Sequence, residues 1–180
     1  PKQQFTALLA IRDASGLIKL ATKLRAEGGE FLTAMEFFSD VGLDIALKNI
    51  PGLVFPLQSR TSFYLLVEAG SGSMQVPLDS ILTEVMEWGM DEGIVADGAL
   101  AMSGAQRAAF WRLREEQPEG QRRLGAQLKH DLSVPSGQLA EFLDRANDEC
   151  GEVLNGVTIN TFGHLGDGNV HYNLSPPLGQ

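Results

Sequence analysis

Cysteine is almost missing from this chain: Cys150 stands alone among 180 residues. A single thiol excludes an internal disulfide and fits a reducing compartment. Positive charge is scarce as well, with 14 Lys and Arg against 23 Asp and Glu and a formal net charge of -9. Nucleic acids and anionic membranes need clustered cations to neutralise phosphate, so this balance argues against both as partners. No apolar run reaches the roughly 18 residues of a membrane span, and no basic leader with an apolar stretch and small-residue cleavage site opens the chain, so neither a span nor a signal peptide is expected. Heptads, low-complexity tracts and basic tails are missing too. The chain opens on Pro1 and stops at Gln180 just after a strand pattern, which reads as one domain excised from a longer protein.

What is present is an alternation of strand and helix patterns. Phe5 to Ile11 reads as a strand, and Leu17, Leu20, Ala21 and Leu24 form one helical stripe. Asp13 and Ser15 offer capping oxygens before that helix, and Gly28 and Gly29 end it. Phe31 to Phe38 predicts the next strand, Asp40 to Asn49 a helix, Ser62 to Glu68 a strand, and Pro77 to about Met90 a helix. Val95 to Met102 reads as a short strand or connection. Gln106 to Glu116 is a helix that Pro118 and Gly120 are expected to terminate. Leu124 to Val134 alternates, with Lys129 on its polar side and His130 on its apolar side, where an ordinary hydrogen-bonded imidazole is the simpler reading. Pro135 and Ser136 then start a helix whose Leu139, Phe142, Leu143, Ala146 and Cys150 are simplest as core. The strands alternate more than they run apolar, which favours an α+β domain: a ferredoxin-like antiparallel or mixed sheet with helices on one face and the other face open for a site.

Two of only three histidines fall in one stretch near the end, Gly163-His164-Leu165-Gly166-Asp167-Gly168-Asn169-Val170-His171-Tyr172-Asn173. Val157 to Phe162 and Asn169 to Leu174 alternate as strands on either side of a glycine-rich turn. Glycines at 163, 166 and 168 permit positive φ and close approach, so a tight connection returns His164 beside the polar face made by Asn169, His171 and Asn173. Two imidazoles facing one space suggest a divalent metal, although two ligands leave the usual set incomplete and hairpin histidines commonly serve local hydrogen bonds.

These residues carry a resemblance. Together with Ala34-Met35-Glu36-Phe37-Phe38-Ser39-Asp40, Ser62 to Glu68, Phe110-Trp111-Arg112-Leu113-Arg114-Glu115 and Lys129-His130-Asp131-Leu132-Ser133-Val134-Pro135, the chain resembles the C-terminal domain of FAD-linked 2-hydroxyacid oxidases and dehydrogenases over nearly its whole length. The resemblance implies the same α+β architecture, with residues 1–180 as the substrate- and metal-binding (cap) portion. It implies His164 and His171 as catalytic metal ligands for Zn or Mn, Arg114 and Lys129 as clamps on substrate carboxylates, Asn173 as a further substrate contact, and Asn169 as a contact to the cofactor. Ordinary alternatives are a surface ion pair for Arg114 and hairpin closure for the two asparagines.

The implied activity is metal-assisted oxidation of a D-2-hydroxyacid, a 2-hydroxyglutarate-like dicarboxylate, with hydride passing to FAD held by a separate N-terminal domain and electrons going on to an electron-transfer protein or quinone. A D-lactate dehydrogenase or glycolate oxidase subunit is the nearer alternative, and a non-catalytic binding or assembly module the more distant one. The implied setting is cytoplasmic, or the mitochondrial matrix in a eukaryote, soluble or peripherally attached to a membrane; a homodimer is compatible with it. Pro118 departs from the pattern, which places a small hydroxyl residue four positions after the clamp arginine in 2-hydroxyglutarate-acting members. The family's later Ser-x-Glu-His-Gly-x-Gly segment, with a third metal ligand and a catalytic histidine, would lie past Gln180, so the fragment is expected to be inactive alone.

Overall fold

The computed structural model describes residues 1–177. Seven strands form one antiparallel sheet: β1 (Gln3–Ile11), β2 (Leu32–Ser39), β3 (Phe63–Ser71), β4 (Val95–Leu100), β5 (Leu128–Ser133), β6 (Thr158–His164) and β7 (Asn169–Ser175), in the order β4-β1-β3-β2-β6-β7-β5. The helices are α1 (Ala14–Gly28), α2 (Asp40–Asn49), α3 (Leu78–Asp91), α4 (Gly104–Glu115), α5 (Gln117–Arg122) and α6 (Leu139–Val153). Short polar side chains start three of them: Asp13, Ser39 and Ser103 each accept a backbone N–H from the first turn of α1, α2 and α4. The α+β class and antiparallel sheet agree with the sequence pattern.

Helix placement does not. The central strands are apolar at consecutive positions, as in Ala7-Leu8-Leu9-Ala10-Ile11, all fully buried, and such strands need cover on both sides. One core joins Ala7, Leu9, Phe37 and Leu65 to α1, α3 and α6. A second, on the opposite face, joins Leu8, Phe38, Tyr64, Leu66 and Phe162 to Leu43 of α2 and to Phe110 and Leu113 of α4. The expectation of helices on one face is therefore corrected to helices on both. Towards β6, β7 and β5 part of that second face is left open as a cleft lined by Phe162, His164, His171, Asn173, Lys129 and Asp131. Pro118 follows the end of α4 at Glu115, as expected, but also opens a further helix. It sits in the first turn of α5, where its missing N–H is no loss, and Gly120 packs closely against the backbone of Ala46 in α2, where a Cβ would be a tight fit.

Candidate active site

Strand register assembles the site. Side chains directly opposite one another share a face of the sheet, and the ladders align Glu36 with His164, His164 with Asn169, Phe162 with His171, His171 with Asp131, and Asn173 with Lys129. Four strands thus contribute one polar strip on the face of the second core. Val170, Tyr172 and Leu174 alternate to the other face and join the first core, which pins the register of β7.

The turn between β6 and β7 is held from three sides. Arg25 of α1 donates through Nη2 to the carbonyls of Leu165 (2.8 Å) and Gly166 (3.0 Å), Leu165 N–H donates to Met35 (2.8 Å), and Val134 N–H donates to Gly168 (2.8 Å). Gly168 adopts φ +68°, a conformation disfavoured for other residues. Gly163 serves close approach, since a Cβ there would collide with the Asn169 carbonyl. Gly166 answers neither need.

Arg114, His164, His171, Lys129 and Asn173 line a single cleft of about 510 Å³ with Pro118, His130, Asp131 and Phe162. The His164 and His171 rings lie 6.3 Å apart, edge to face. His164 Nδ1 is 2.6 Å from Glu36 Oε1, leaving Nε2 as the ring's other nitrogen. His171 Nδ1 is 3.6 Å from Asp131. Burial lowers the His171 pKa from its ordinary 6.5; Asp131 opposes this and the Arg114 charge adds to it. The ring is thereby biased toward the neutral form that ligates cations. Two imidazoles on one cleft, one backed by a carboxylate, fit the donor chemistry of a divalent cation. Among the described residues no cluster of three His, Cys, Asp or Glu donors completes such a set.

Arg114 ends the inward stripe of α4 and is 7% exposed. Its guanidinium stacks on Phe162 at 4.8 Å, and Nε lies 3.1 Å from Glu36 Oε2, an ion pair without hydrogen-bond alignment. Burial lowers its pKa and Glu36 partly offsets that, yet an arginine stays charged. No acceptor among the described residues takes either terminal nitrogen. Lys129 is exposed on β5 and forms no salt bridge among them. Asn173 is buried, and its Nδ2 donates to Gln121 Oε1 at 3.0 Å. Asn169 does not line the cleft: its Nδ2 donates to Asp131 at 2.8 Å, and its Oδ1 is buried without a partner. His130, exposed on the edge strand, places Nδ1 3.0 Å from the Tyr172 carbonyl.

Glu36 is the site residue that sequence reasoning passed over. The signal for it was an acid inside the apolar strand run Ala34 to Phe38. A larger groove, about 980 Å³, follows the starts of α1 and α2, but its Arg60 is already paired with Asp40 at 2.7 Å and Asp44 at 2.6 Å and offers no free charge to an anion.

A buried arginine of α4, an exposed lysine of β5 and a histidine pair of β6 and β7 thus share one cleft on an antiparallel sheet covered by helices. The chain belongs to the family of FAD linked oxidases, C-terminal domain, which it matches over residues 1–178. It is 32% identical over 169 residues to the mitochondrial D-2-hydroxyglutarate dehydrogenase of Arabidopsis thaliana, covering 94% of this chain and 30% of that protein. Over 175 residues it is 30% identical to the mitochondrial enzyme of the same name from Rattus norvegicus, covering 97% of this chain and 32% of that one. The chain thus spans about a third of the curated relatives it matches. The fold is shared with an alkyldihydroxyacetonephosphate synthase at a TM-score of 0.64 and 11% identity, over 99% of this chain and 37% of that one. No helix among the described residues is long and apolar enough to cross a membrane.

Proposed function

We propose that this domain is the substrate- and metal-holding part of an FAD-dependent dehydrogenase that oxidises a D-2-hydroxyacid, a dicarboxylate of the 2-hydroxyglutarate kind, to the 2-oxoacid. Arg114 carries the reading. A guanidinium 7% exposed, fixed at Nε by Glu36 and on its face by Phe162, presents two unpaired terminal nitrogens beside a cleft. That fork matches a carboxylate, and the stacked ring keeps water from one side of it. Lys129 adds a second positive charge, which suits a second carboxylate and has no partner in lactate or glycolate. Asn173, anchored through Gln121, sits next to Lys129 in the strand ladder with a fixed amide.

A divalent cation on His164 and His171, zinc or manganese, would polarise the substrate hydroxyl and offset its developing negative charge. FAD, brought by another domain of the whole protein, would supply the acceptor for the hydrogen on C2, with electrons then leaving to a protein or quinone. The names of the relatives support the substrate class, and the mitochondrial names among them support a matrix setting.

The test is anaerobic flavin reduction in the full-length protein by D-2-hydroxyglutarate, D-malate, D-lactate and glycolate, with and without chelation and Zn²⁺ or Mn²⁺ add-back. Dicarboxylates should bleach the flavin, chelation should abolish the reaction, and Lys129→Ala should weaken dicarboxylates by about tenfold while sparing lactate, as expected for loss of one exposed charge-assisted contact. Bleaching by lactate alone, with Lys129→Ala silent, would move the reading to a monocarboxylate. Silence toward every hydroxyacid would end it.

A further inference from the structure

We infer that Glu36 is the positioning residue of this cleft: one carboxylate oxygen orients His164 toward a cation while the other aligns Arg114 toward a substrate anion. The inference rests on the reading of His164 as a cation ligand and Arg114 as a carboxylate clamp.

The antiparallel register places Glu36 of β2 directly opposite His164 of β6. Its Oε1 lies 2.6 Å from His164 Nδ1, and its Oε2 lies 3.1 Å from Arg114 Nε. The Glu36 side chain is 9% exposed, whereas that of His164 is 48% exposed. The carboxylate is therefore the fixed member of the pair and the imidazole the one that needs holding. An ionised carboxylate only accepts hydrogen bonds, so the His164 nitrogen facing it carries the hydrogen and the lone pair is left on Nε2. That tautomer makes Nε2 an electron-pair donor to a cation, an arrangement in which the outer carboxylate fixes the orientation of the ring.

The same carboxylate restrains Arg114 at its inner nitrogen, which leaves the terminal pair free. With Phe162 beneath the guanidinium at 4.8 Å, the plane of the fork is fixed before any anion arrives. His164 and Arg114 converge on one residue, the first by a hydrogen bond and the second by charge, and only a carboxylate serves both. An amide has a single acceptor end. In Glu36→Gln, an oxygen turned to His164 puts the NH2 against the Arg114 Nε–H, while an oxygen turned to Arg114 puts the NH2 on His164 Nδ1 and moves the ring hydrogen to Nε2.

The experiment measures Zn²⁺ affinity of the full-length flavoprotein by competition with a chromophoric chelator, together with KM and kcat for the hydroxyacid, FAD content and the thermal midpoint. Glu36→Gln should weaken Zn²⁺ about 10- to 100-fold or raise KM by a similar factor according to which way the amide turns, with FAD content unchanged. His164→Ala should weaken Zn²⁺ at least as much. Glu68→Gln, which loses a buried carboxylate paired with Arg107 outside the cleft, should lower the thermal midpoint and leave Zn²⁺ affinity alone. Should Glu36→Gln prove unstable, Glu36→Asp keeps the charge but is one methylene too short to reach both partners, and it should lose one of the two affinities. Parental Zn²⁺ affinity and KM in these Glu36 variants, with Zn²⁺ lost in His164→Ala, would overturn the positioning role and spare the metal reading. Unchanged Zn²⁺ affinity in His164→Ala would overturn the metal reading and this inference with it.

Discussion

Arg114→Met tests the cleft at its most heavily committed residue. The substitution keeps an unbranched stem against Phe162 and deletes the charge. At 3.1 Å from Glu36, and with an effective dielectric of about 20, the lost attraction is about 5 kcal/mol. Part is recovered, because methionine escapes the burial penalty that a guanidinium carries. Glu36 remains 7% exposed with His164 as its remaining partner, which places the net loss near 3 kcal/mol, the lower end for breaking one side of a buried pair. For a unit of this size that is a fall of about 6 to 12 °C in Tm. Losing the charge-assisted fork on a substrate carboxylate removes about 3 kcal/mol more from transition-state binding, or about 150-fold in kcat/KM. Thermal and urea melts give the first quantity, and hydroxyacid oxidation with a dye acceptor, on the full-length protein, gives the second. The double variant Glu36→Gln with Arg114→Met separates them: stability should largely return, because both charges are gone, and turnover should not. A single variant as stable as its parent, or a double variant no more stable than the single, refutes the buried pair; unchanged kcat/KM refutes the clamp.

Two further outcomes follow from the geometry. Burial pushes the Glu68 carboxyl up, but hydrogen bonds from Arg107, Trp111 and Thr6 outweigh it and hold the group below its ordinary 4.5. A depressed carboxyl stabilises the fold above its unfolded value and loses that contribution as pH falls through the folded one. Glu68→Gln should thus cost about 1 to 3 kcal/mol in urea melts at pH 7, and the gap to the parent should close as pH drops below 4.5; a gap independent of pH would count against the ionised network. Within the histidine turn, Gly163→Ala and Gly168→Ala should each weaken Zn²⁺ binding and speed amide exchange in β6 and β7, whereas Gly166→Ala should do neither, because only the first two positions meet backbone carbonyls. Equal damage at all three would mean that flexibility, not fit, is what the glycines provide.

Local patterns made much of this legible in the letters. The helix expected over Asp40 to Asn49 is α2 with the same limits, and the alternation of Asn169 to Asn173 puts both asparagines and His171 on one face. Errors arose where two signals competed. Pro118 reads as a stop, and α4 does end at Glu115, but the proline equally suits the first turn of the short helix that follows. Leu124 to Val134 alternates throughout, but only Leu128–Ser133 is strand; it lies at the edge, where Leu128 is 60% exposed and alternation reports no buried face. The unbroken apolar run of β1 already called for cover on two sides and was outweighed by alternation elsewhere. Glu36 was illegible as a partner because its meaning comes from pairing with a strand 128 residues away. Nothing local to β2 specifies that neighbour.

The two cations of the cleft belong to parts of the molecule with unequal resistance to opening. Arg114 is rooted in a helix packed on the sheet, so displacing it means unpacking Phe110 and Leu113 from the second core. Lys129 rides on β5, a six-residue strand bonded on one side only, to β7, and mostly exposed. Releasing β5 breaks one ladder and withdraws only Leu132 and the adjacent Val134 from the margin of the first core, so its opening free energy lies below that of the domain. The cleft is therefore a vice with one jaw cast into the frame and one jaw hinged. If the two cations clamp a substrate as proposed, an anion that loses its hold on Lys129 would still be gripped by Arg114, and the edge position of a single strand would set the order in which the two grips are made and broken.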